Sequence, residues 1–246
     1  MKVFVINLDR RKERMTYMKR QLLDLGVAFE RICAVDGKLM SHREKKAAVR
    51  VFKWWCVNGY LPRDGEIGCA LSHQSVYRMM LDRGLSCACV VEDDVELDER
   101  WWKVLNAVEK RIAECDIPSV YLLAPYLYQK PAEGQEVSFK KVSWAASAGG
   151  YVLTRGAAER MLAINVPLQS TADNWGRWHV KGGIELYDVN PVVCHQLPYG
   201  EVPNDSAFIS DTIDQNTKFV KDMCFLRRLV HKFGRVIGKF IDKMLV

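Results

Sequence analysis

Residues 87–96 read CACVVEDDVE, and the predicted fold is organised around them. Its first half is a run of small and β-branched apolar residues that follows Gly84 closely and stops at a carboxylate. Such a run is typical of a short strand that is buried on both faces. In open α/β sheets, ligands bind in the crevice beyond the carboxyl ends of the strands. We therefore expect the acidic residues that end the run, Glu92, Asp93 and Asp94, to lie at a binding site.

These three adjacent carboxylates also predict a cation. Like charges repel one another and resist removal from water, so a positive partner is expected beside them. Glu92 and Asp94 lie two residues apart and point to the same side of an extended chain. Two converging carboxylates suit a hard divalent cation such as Mn²⁺ or Mg²⁺, which prefers oxygen ligands and can share substrate phosphates. A solvated acidic turn after the strand is the alternative that these residues leave open.

The patterns around this strand alternate between strand and helix, which predicts an α/β fold with a mostly parallel central sheet. Further strands are predicted over residues 3–7, 28–35, 119–124, 137–144, 151–153 and 192–193. Helices are predicted from a cap at Asp9 to Gly26, over residues 41–62 and 65–84, from a cap at Asp98 to Ile112, and over residues 155–164 after a cap at Thr154. The sequence contains no internal repeat and no linker that would divide it.

Composition places the chain among ordinary soluble globular proteins, since 49% of its 246 residues are hydrophobic and 27% are charged. No apolar stretch reaches the ~20 residues that span a bilayer. The opening residues predict a strand and not a secretion signal. The eight cysteines include no CxxC pair, which argues against a disulfide framework and against a zinc site. We therefore expect reduced thiols and a cytosolic location.

The net charge of +6 is concentrated in one segment. Residues 217–246 hold eight Lys/Arg and two Asp/Glu, so residues 1–216 are neutral and a nucleic-acid partner is not expected. Apolar residues recur at helical spacing through the segment, and its basic residues lie largely off that stripe. We expect a single domain over residues 1–216 and a basic amphipathic C-terminal helix over 217–246 that binds anionic membrane surfaces. Packing of the stripe on the domain or on another subunit is the alternative.

The first predicted helix carries basic side chains where a helix dipole disfavours them. Arg10, Arg11, Lys12 and Arg14 all fall in its first turns. Charges placed against this preference suggest that they hold an anion near the end of the first strand. A solvated basic face is the other interpretation.

Several segments together resemble a known family. They are VFVINLDRRKERM from residue 3, AVDG at 34–37, GEIGCALSH at 65–73, VVEDDVEL at 90–97, and the later GGYVLTRGAAERML and PVVCHQ. In this order and spacing they resemble glycosyltransferase family 25, the lipopolysaccharide and lipooligosaccharide sugar transferases whose relatives include collagen galactosyltransferases. The resemblance spans roughly residues 2–210.

The resemblance implies a GT-A fold, a single Rossmann-like nucleotide-sugar domain with an appended acceptor-binding half. It implies an inverting, metal-dependent enzyme that moves a sugar, often galactose from UDP-galactose, onto a lipooligosaccharide or lipopolysaccharide acceptor. Such an enzyme needs an anion-tolerant first turn, a cation (Mn²⁺ or Mg²⁺) for the departing diphosphate, and a base for the acceptor hydroxyl. A peripheral position on the inner face of a bacterial cytoplasmic membrane follows from this acceptor.

Site residues are implied by matching the family motifs position by position. Asp94 becomes the metal ligand, Glu92 a ligand of the metal or of the donor ribose, and Asp93 a further donor-binding residue. The rest of the implied donor pocket consists of Asn7, Leu8, Arg10, Arg14 and Asp36. Ordinary Asp-Gly turn chemistry explains Asp36 nearly as well, and helix packing does the same for Ser72 and His73.

The implied general base is Asp173, in the loop before Trp175. A capping role at the start of a helix through Trp175 is the structural alternative. Asp188 and Glu185 are the next candidates for the base. His195 could be a further metal ligand, although the family motif there centres on Gln196.

Two other function classes compete with this interpretation. A different metal-dependent nucleotide-phosphate enzyme could use the same carboxylates, but it would need a glycine-rich phosphate loop, and INLDRR at residues 6–11 contains no glycine. A non-catalytic, membrane-associated scaffold would be expected to lose carboxylates, and the EDD triplet is intact.

Overall fold

The computed structural model describes residues 1–124 and 136–197. The predicted amphipathic helix over residues 217–246 lies outside these ranges. The strands are β1 (Lys2–Asn7), β2 (Phe29–Cys33), β3 (Cys87–Glu92), β4 (Val95–Leu97), β5 (Ser119–Leu122), β6 (Ser138–Val142), β7 (Gly150–Thr154), β8 (Glu185–Asn190) and β9 (Cys194–Gln196). The helices are α1 (Lys12–Asp24), α2 (His42–Ala48), α3 (Val51–Asn58), α4 (Asp64–Asp82), α5 (Trp101–Glu114), α6 (Arg155–Asn165) and α7 (Trp175–Gly182).

Seven of the strands form one mixed sheet in the order β2-β1-β3-β7-β5-β8-β6. Strands β2, β1, β3, β5 and β8 run in one direction, while β7 and β6 run against them. The predicted α/β class is therefore confirmed, and most strands share a direction, but β7 separates the parallel strands into two groups. A second, two-stranded antiparallel sheet pairs β4 with β9.

The β3 strand lies in the interior of the sheet, between β1 and β7. Its residues Ala88, Cys89, Val90 and Val91 are fully buried, as predicted for a strand covered on both faces. Alternate side chains enter different layers of the core. Ala88 and Val90 pack with side chains of α4 and α6, whereas Cys89 and Val91 pack with side chains of α1 and α5.

Four local predictions are wrong. Asp98 does not cap α5, because its carboxylate accepts from the Arg100 nitrogen and the N-cap position belongs to Arg100. The helix predicted over residues 41–62 is interrupted at Val49 and Arg50, which divides it into α2 and α3.

Asp9 does not cap α1, because its carboxylate accepts hydrogen bonds from Arg31 and Cys33, and the N-cap position belongs to Arg11. The strand predicted at residues 192–193 is absent there, and the chain instead forms β8 just before it. The polar residues in ELYDVN hide the apolar pattern of β8, which is recognisable only once it pairs with β5 and β6.

The start of α4 meets the segment after β2 at two glycines. A Cβ on Gly68 would lie 2.4 Å from the Val35 carbonyl oxygen and 2.7 Å from the Gly37 nitrogen. A Cβ on Gly37 would lie 1.8 Å from the Asp64 carbonyl oxygen. Glycine is therefore required on both sides of this contact, since the obstructing atoms are backbone and cannot rotate away.

We predict that Gly68→Ala destabilises the protein, because the new methyl group would push α4 away from the segment that contains Asp36. Overpacking of this kind costs about 1–3 kcal/mol, and each kcal/mol lowers Tm by about 2–4 °C in a domain of this size. Thermal unfolding followed by circular dichroism measures the change. Gly156→Ala in α6 is the control, since its Cβ would come no closer than 3.1 Å to any atom, the nearest being Pro118 Cγ, with Pro118 Cβ at 3.5 Å and Cα at 3.7 Å. Equal Tm values for Gly68→Ala and the natural protein would contradict the prediction.

Candidate functional site

A first cleft opens beyond the carboxyl ends of β1 and β3, where the parallel strands end together. Its walls carry three basic side chains, Arg10, Arg14 and Lys38. They face four acidic ones, Asp36, Glu92, Asp93 and Asp94. Leu8 and Ser72 also line it. The residues after β1, the turn after β2 and the acidic triplet therefore come together, as the sequence predicted.

A second cleft adjoins the first. Tyr60, Arg63 and Glu66 line one side of it, and residues 144–148 and 171–174 line the rest. Cys69, Glu92 and Gln196 line both clefts and thus mark the boundary between them. The two clefts therefore meet at Glu92.

Asn7 and Asp93 belong to a buried network beneath the first cleft. The Asn7 amide donates to Asp93 Oδ2 at 2.6 Å and to the Arg11 carbonyl at 2.9 Å, and its oxygen accepts from Arg31 at 2.8 Å. Arg14 donates to Asp93 Oδ1 at 3.0 Å. Asn7 is 2% exposed and lies behind the cleft wall, so the structure places it as a support for Asp93. Burial raises the pKa of Asp93, although the charge of Arg14 opposes this effect.

Glu92 and Asp94 have opposite electrostatic environments. Burial alone would raise the pKa of Glu92, but hydrogen bonds from His73 at 3.1 Å and Cys69 at 3.6 Å outweigh it and lower that pKa. Burial and the nearby charge of Glu92 raise the pKa of Asp94 to about 7. The Asp94 carboxylate lies 3.4 Å from Arg14 and 3.4 Å from the amide of Gln196. Two interacting carboxylates in a poorly hydrated cleft fit an oxygen-preferring cation such as Mn²⁺ or Mg²⁺.

Asp36 and Arg10 form an ion pair on the opposite wall, with the guanidinium Nε 2.6 Å from Asp36 Oδ2. The other Asp36 oxygen accepts from the backbone nitrogen of Lys38, which is ordinary turn chemistry. Asp36 thus serves the turn and also faces the cleft. Both interpretations of this residue are compatible with its position.

Ser72 and His73 contribute to packing and to the site at once. The Ser72 hydroxyl donates to the Gly68 carbonyl and accepts from the Val35 backbone nitrogen at 2.8 Å, which attaches α4 to the segment after β2. The His73 ring is 1% exposed and connects Tyr151 to Glu92. These contacts explain why the sequence left their role open.

Asp173 lies in the second cleft, which Glu92 also lines. It is not the helix cap that the alternative proposed, because the Asn174 side chain caps α7 by accepting from the Arg177 nitrogen. Its charge contributes to raising the pKa of Glu66, behind the larger effect of burial. Asp173 and Glu66 therefore line the same cleft and interact electrostatically.

Three residues considered from the sequence lie elsewhere in the described part of the chain. Asp188 is buried in β8 and lines neither cleft. Glu185 pairs with Lys141 at 2.9 Å at the opposite end of that strand. Alternation along β9 leaves the exposed His195 opposite Glu96, while Gln196 reaches both clefts. Asp188 and Glu185 are thus poorly placed as bases, and His195 is poorly placed as a metal ligand.

Sequence reasoning missed the residues that line one side of the second cleft, namely Tyr60, Arg63 and Glu66. Glu66 accepts from the Tyr60 hydroxyl at 2.7 Å and from the Arg63 backbone nitrogen at 2.8 Å. The signal in the sequence was that Glu66 follows Arg63 by three residues, which is the spacing of a helix capping box. A capping residue is rarely suspected of facing a ligand cleft as well.

Among the described residues, none of the helices combines the length and apolar character that crossing a bilayer requires.

Comparison with known proteins agrees with the geometry. Residues 1–175 match the family model described as "Glycosyltransferase family 25 (LPS biosynthesis protein)". Human procollagen galactosyltransferase 2 is 30% identical over 171 residues, which cover 66% of this chain and 27% of the relative. Procollagen galactosyltransferase 1 of Danio rerio is 35% identical over 173 residues, which cover 65% of this chain and 28% of the relative. The mouse protein named inactive glycosyltransferase 25 family member 3 is 29% identical over 171 residues, which cover 65% of this chain and 28% of the relative.

These matches leave most of each relative without a counterpart, since the chain spans only a little over a quarter of their lengths. The family match, in contrast, covers well over half of this chain and includes β1, α4, β3 and β7. The chain belongs to glycosyltransferase family 25.

Proposed function

We propose that the chain is an inverting, metal-dependent glycosyltransferase that transfers a hexose, galactose from UDP-galactose, to a lipooligosaccharide or lipopolysaccharide acceptor. The observation that carries the proposal is the junction of two clefts at Glu92. Transfer of a sugar requires a donor and an acceptor whose reacting atoms meet, and the two clefts adjoin at one carboxylate.

The first cleft has the chemistry of a donor site. Arg10, Arg14 and Lys38 offer positive charge to a diphosphate, and Asp36 offers a carboxylate to ribose hydroxyls. Leu8 provides an apolar surface beside them. Glu92 and Asp94 would hold a Mn²⁺ or Mg²⁺ ion, which when bound supplies positive charge to the departing diphosphate. Asn7 and Asp93 act indirectly, by fixing Arg14.

The second cleft would hold the acceptor, with Asp173 as the base. The acceptor hydroxyl oxygen forms the new bond to the anomeric carbon as the bond from that carbon to the UDP oxygen breaks. The hydroxyl proton passes to the Asp173 carboxylate. Attack from the second cleft, opposite a leaving group in the first, inverts the configuration at that carbon.

The identity of the substrates is supported by the names of relatives. Two of the relatives reported above are galactosyltransferases by name, which supports galactose as the sugar. The family description mentions LPS biosynthesis, which supports a bacterial glycolipid as the acceptor. A membrane-embedded acceptor agrees with the basic segment at residues 217–246 and with a peripheral position on the inner face of the cytoplasmic membrane.

A second candidate function is a non-catalytic scaffold with the same fold, since one relative carries the word inactive in its name. Both candidates predict binding of a nucleotide sugar. Only the enzyme releases UDP from UDP-galactose in the presence of Mn²⁺, so a UDP-release assay separates them.

Asp94→Asn should weaken Mn²⁺-dependent donor binding and greatly slow transfer, because one of the two converging carboxylates loses its charge. Loss of that electrostatic stabilisation corresponds to a decrease in kcat of about 10²–10⁴-fold, or ~3–5 kcal/mol. Calorimetric titration of UDP-galactose with and without Mn²⁺ measures binding, and UDP release measures transfer. Asp24→Asn, in an exposed position on α1, is the matched control. Full Mn²⁺-dependent activity in Asp94→Asn would show that the acidic triplet has been misinterpreted.

Asp173→Asn should leave the affinities for UDP-galactose and Mn²⁺ nearly unchanged, because the residue lies in the second cleft. The same change should lower kcat by roughly 10²–10⁴-fold if Asp173 accepts the acceptor proton. The two titrations and steady-state transfer rates test this pattern. Glu66→Gln is the comparison variant, since Glu66, like Asp173 and Glu92, is an acidic side chain that lines the second cleft. A near-normal rate in Asp173→Asn together with a large loss in Glu66→Gln would move the base to Glu66.

The full-length chain should float with vesicles that contain anionic lipid and should not float with neutral ones. Each Lys or Arg near the surface contributes about 1 kcal/mol, and salt screens the attraction. Replacing Arg227 and Arg228 together with Glu should reduce flotation, whereas Arg20→Glu in the exposed part of α1 should not. Salt-insensitive flotation that the double replacement leaves unchanged would exclude an electrostatic anchor in this segment.

A further inference from the structure

Three chemically distinct ligand groups converge at the boundary of the two clefts. Cys69 and His73 lie four residues apart on α4, so both side chains project from the same face of the helix. Glu92 approaches them from the end of β3. The Cys69 sulfur, a His73 ring nitrogen and a Glu92 oxygen all lie within 4.8 Å of one another. The sequence did not reveal this group, because Glu92 lies 19 residues beyond His73 and the cysteines form no CxxC pair that would suggest a metal site.

We propose that Cys69 Sγ, His73 Nε2 and Glu92 Oε1 form a binding site for a borderline-soft divalent metal ion, of which Zn²⁺ is the best match. Sulfur and imidazole ligands favour Zn²⁺ and Co²⁺ over Mn²⁺ and Mg²⁺, which prefer oxygen. This site therefore differs in chemistry from the oxygen-ligand cation site proposed at Glu92 and Asp94.

Two of the three distances between the ligand atoms are close to those of tetrahedral zinc, and the third is within 4.8 Å. Typical Zn–S, Zn–N and Zn–O bonds at a tetrahedral angle separate sulfur from oxygen by about 3.6 Å and nitrogen from oxygen by about 3.4 Å. The structure has 3.6 Å between Cys69 Sγ and Glu92 Oε1, and 3.1 Å between His73 Nε2 and the same oxygen.

The second nitrogen of His73 is already held in the way that metal-bound histidines require. His73 Nδ1 lies 2.7 Å from the Tyr151 hydroxyl, which in turn lies 2.8 Å from the Tyr77 hydroxyl. Nε2 donates to Glu92 in the metal-free protein. When an ion binds, the ring proton would lie on Nδ1, which donates to the Tyr151 hydroxyl, and the Nε2 lone pair would bind the ion. A hydrogen-bond partner on the far nitrogen orients the ring and strengthens metal binding. The His73 and Tyr151 rings are also stacked, with centroids 5.7 Å apart.

The site has access to solvent and an open fourth position. Cys69 and Glu92 both line the two clefts, whereas His73 is buried beneath them. Three protein ligands with one position facing a cleft is the pattern of an open zinc site rather than a closed structural one. Binding requires the Cys69 thiolate, so the thiol proton is released to the solvent as the Zn–S bond forms.

This proposal can fail independently of the proposed transferase activity. The oxygen-ligand cation site needs Asp94, and the zinc site does not. The zinc site needs Cys69 and His73, which the oxygen-ligand cation site does not use. Variants of these residues therefore identify which of the two sites an added ion occupies.

The test is a titration of the full-length, untagged, chelator-stripped protein with Zn²⁺ followed by calorimetry, and with Co²⁺ followed by absorption spectroscopy. We expect one ion per chain, with Co²⁺ producing a thiolate charge-transfer band and the intense visible bands of a tetrahedral site. Cys69→Ser should remove the charge-transfer band. His73→Gln should lower Zn²⁺ affinity by at least about 100-fold. Tyr151→Phe should lower it by about 10–100-fold, the usual effect of losing an outer-shell partner.

Two controls make the outcome decisive. Cys56→Ser, at an exposed cysteine on α3, should bind Zn²⁺ and Co²⁺ like the natural protein. Asp94→Asn should also retain Zn²⁺ binding while losing Mn²⁺ binding. Circular dichroism spectra and Tm values verify that each variant is folded. A charge-transfer band that survives in folded Cys69→Ser, or Zn²⁺ binding that is lost in Asp94→Asn and kept in His73→Gln, would overturn the proposal.

Discussion

The packing of helices and strands in this protein depends on three adjacent carboxylates at the end of a buried strand, whose negative charges need hydrogen-bond and ion-pair partners. Each receives different partners from a different part of the chain. Glu92 accepts from His73 and Cys69 of α4. Asp93 accepts from Asn7 and Arg14, which belong to β1 and α1. Asp94 is reached by Arg14 and by Gln196 of β9. Because uncompensated charge is costly where water is scarce, these contacts hold four elements around the end of β3.

The reversed strand β7 has a direct consequence for the site. It lies beside β3 and places Tyr151 in the core, where the hydroxyl bonds to His73. At the start of β7, the Gly149 carbonyl accepts from the Glu92 backbone nitrogen at 2.9 Å. A Cβ on Gly150 would lie 2.5 Å from Cys194 Sγ, so glycine there allows β9 to approach closely and bring Gln196 to the clefts. The mixed sheet is therefore part of how the site is built.

The two clefts distribute different chemistry on either side of Glu92. The first combines basic side chains with carboxylates, which suits an anionic ligand together with a cation. The second is bordered by aromatic and polar groups, including Tyr60 and Trp144, and by the carboxylates Glu66 and Asp173. Tyrosine and tryptophan provide flat apolar surfaces with one polar atom, which suits the faces and hydroxyls of a sugar. A single carboxylate, Glu92, thus borders both kinds of surface.

Local sequence was enough to predict the strand β3, its burial on both faces, the acidic triplet at its end and the cluster of basic residues around the start of α1, although Arg10 and Arg11 lie just before that helix. These features depend on local periodicity and on charge, and both are visible within a few residues. Tertiary structure decided that Asn7 supports Asp93 rather than lining the cleft, that Gln196 rather than His195 reaches it, and that β7 runs against its neighbours. The partners in these contacts are far apart in the chain, 86 residues in the case of Asn7 and Asp93. A local sequence pattern does not predict which distant residue will hydrogen-bond to a buried polar group, because these partners come together only when the sheet and helices pack.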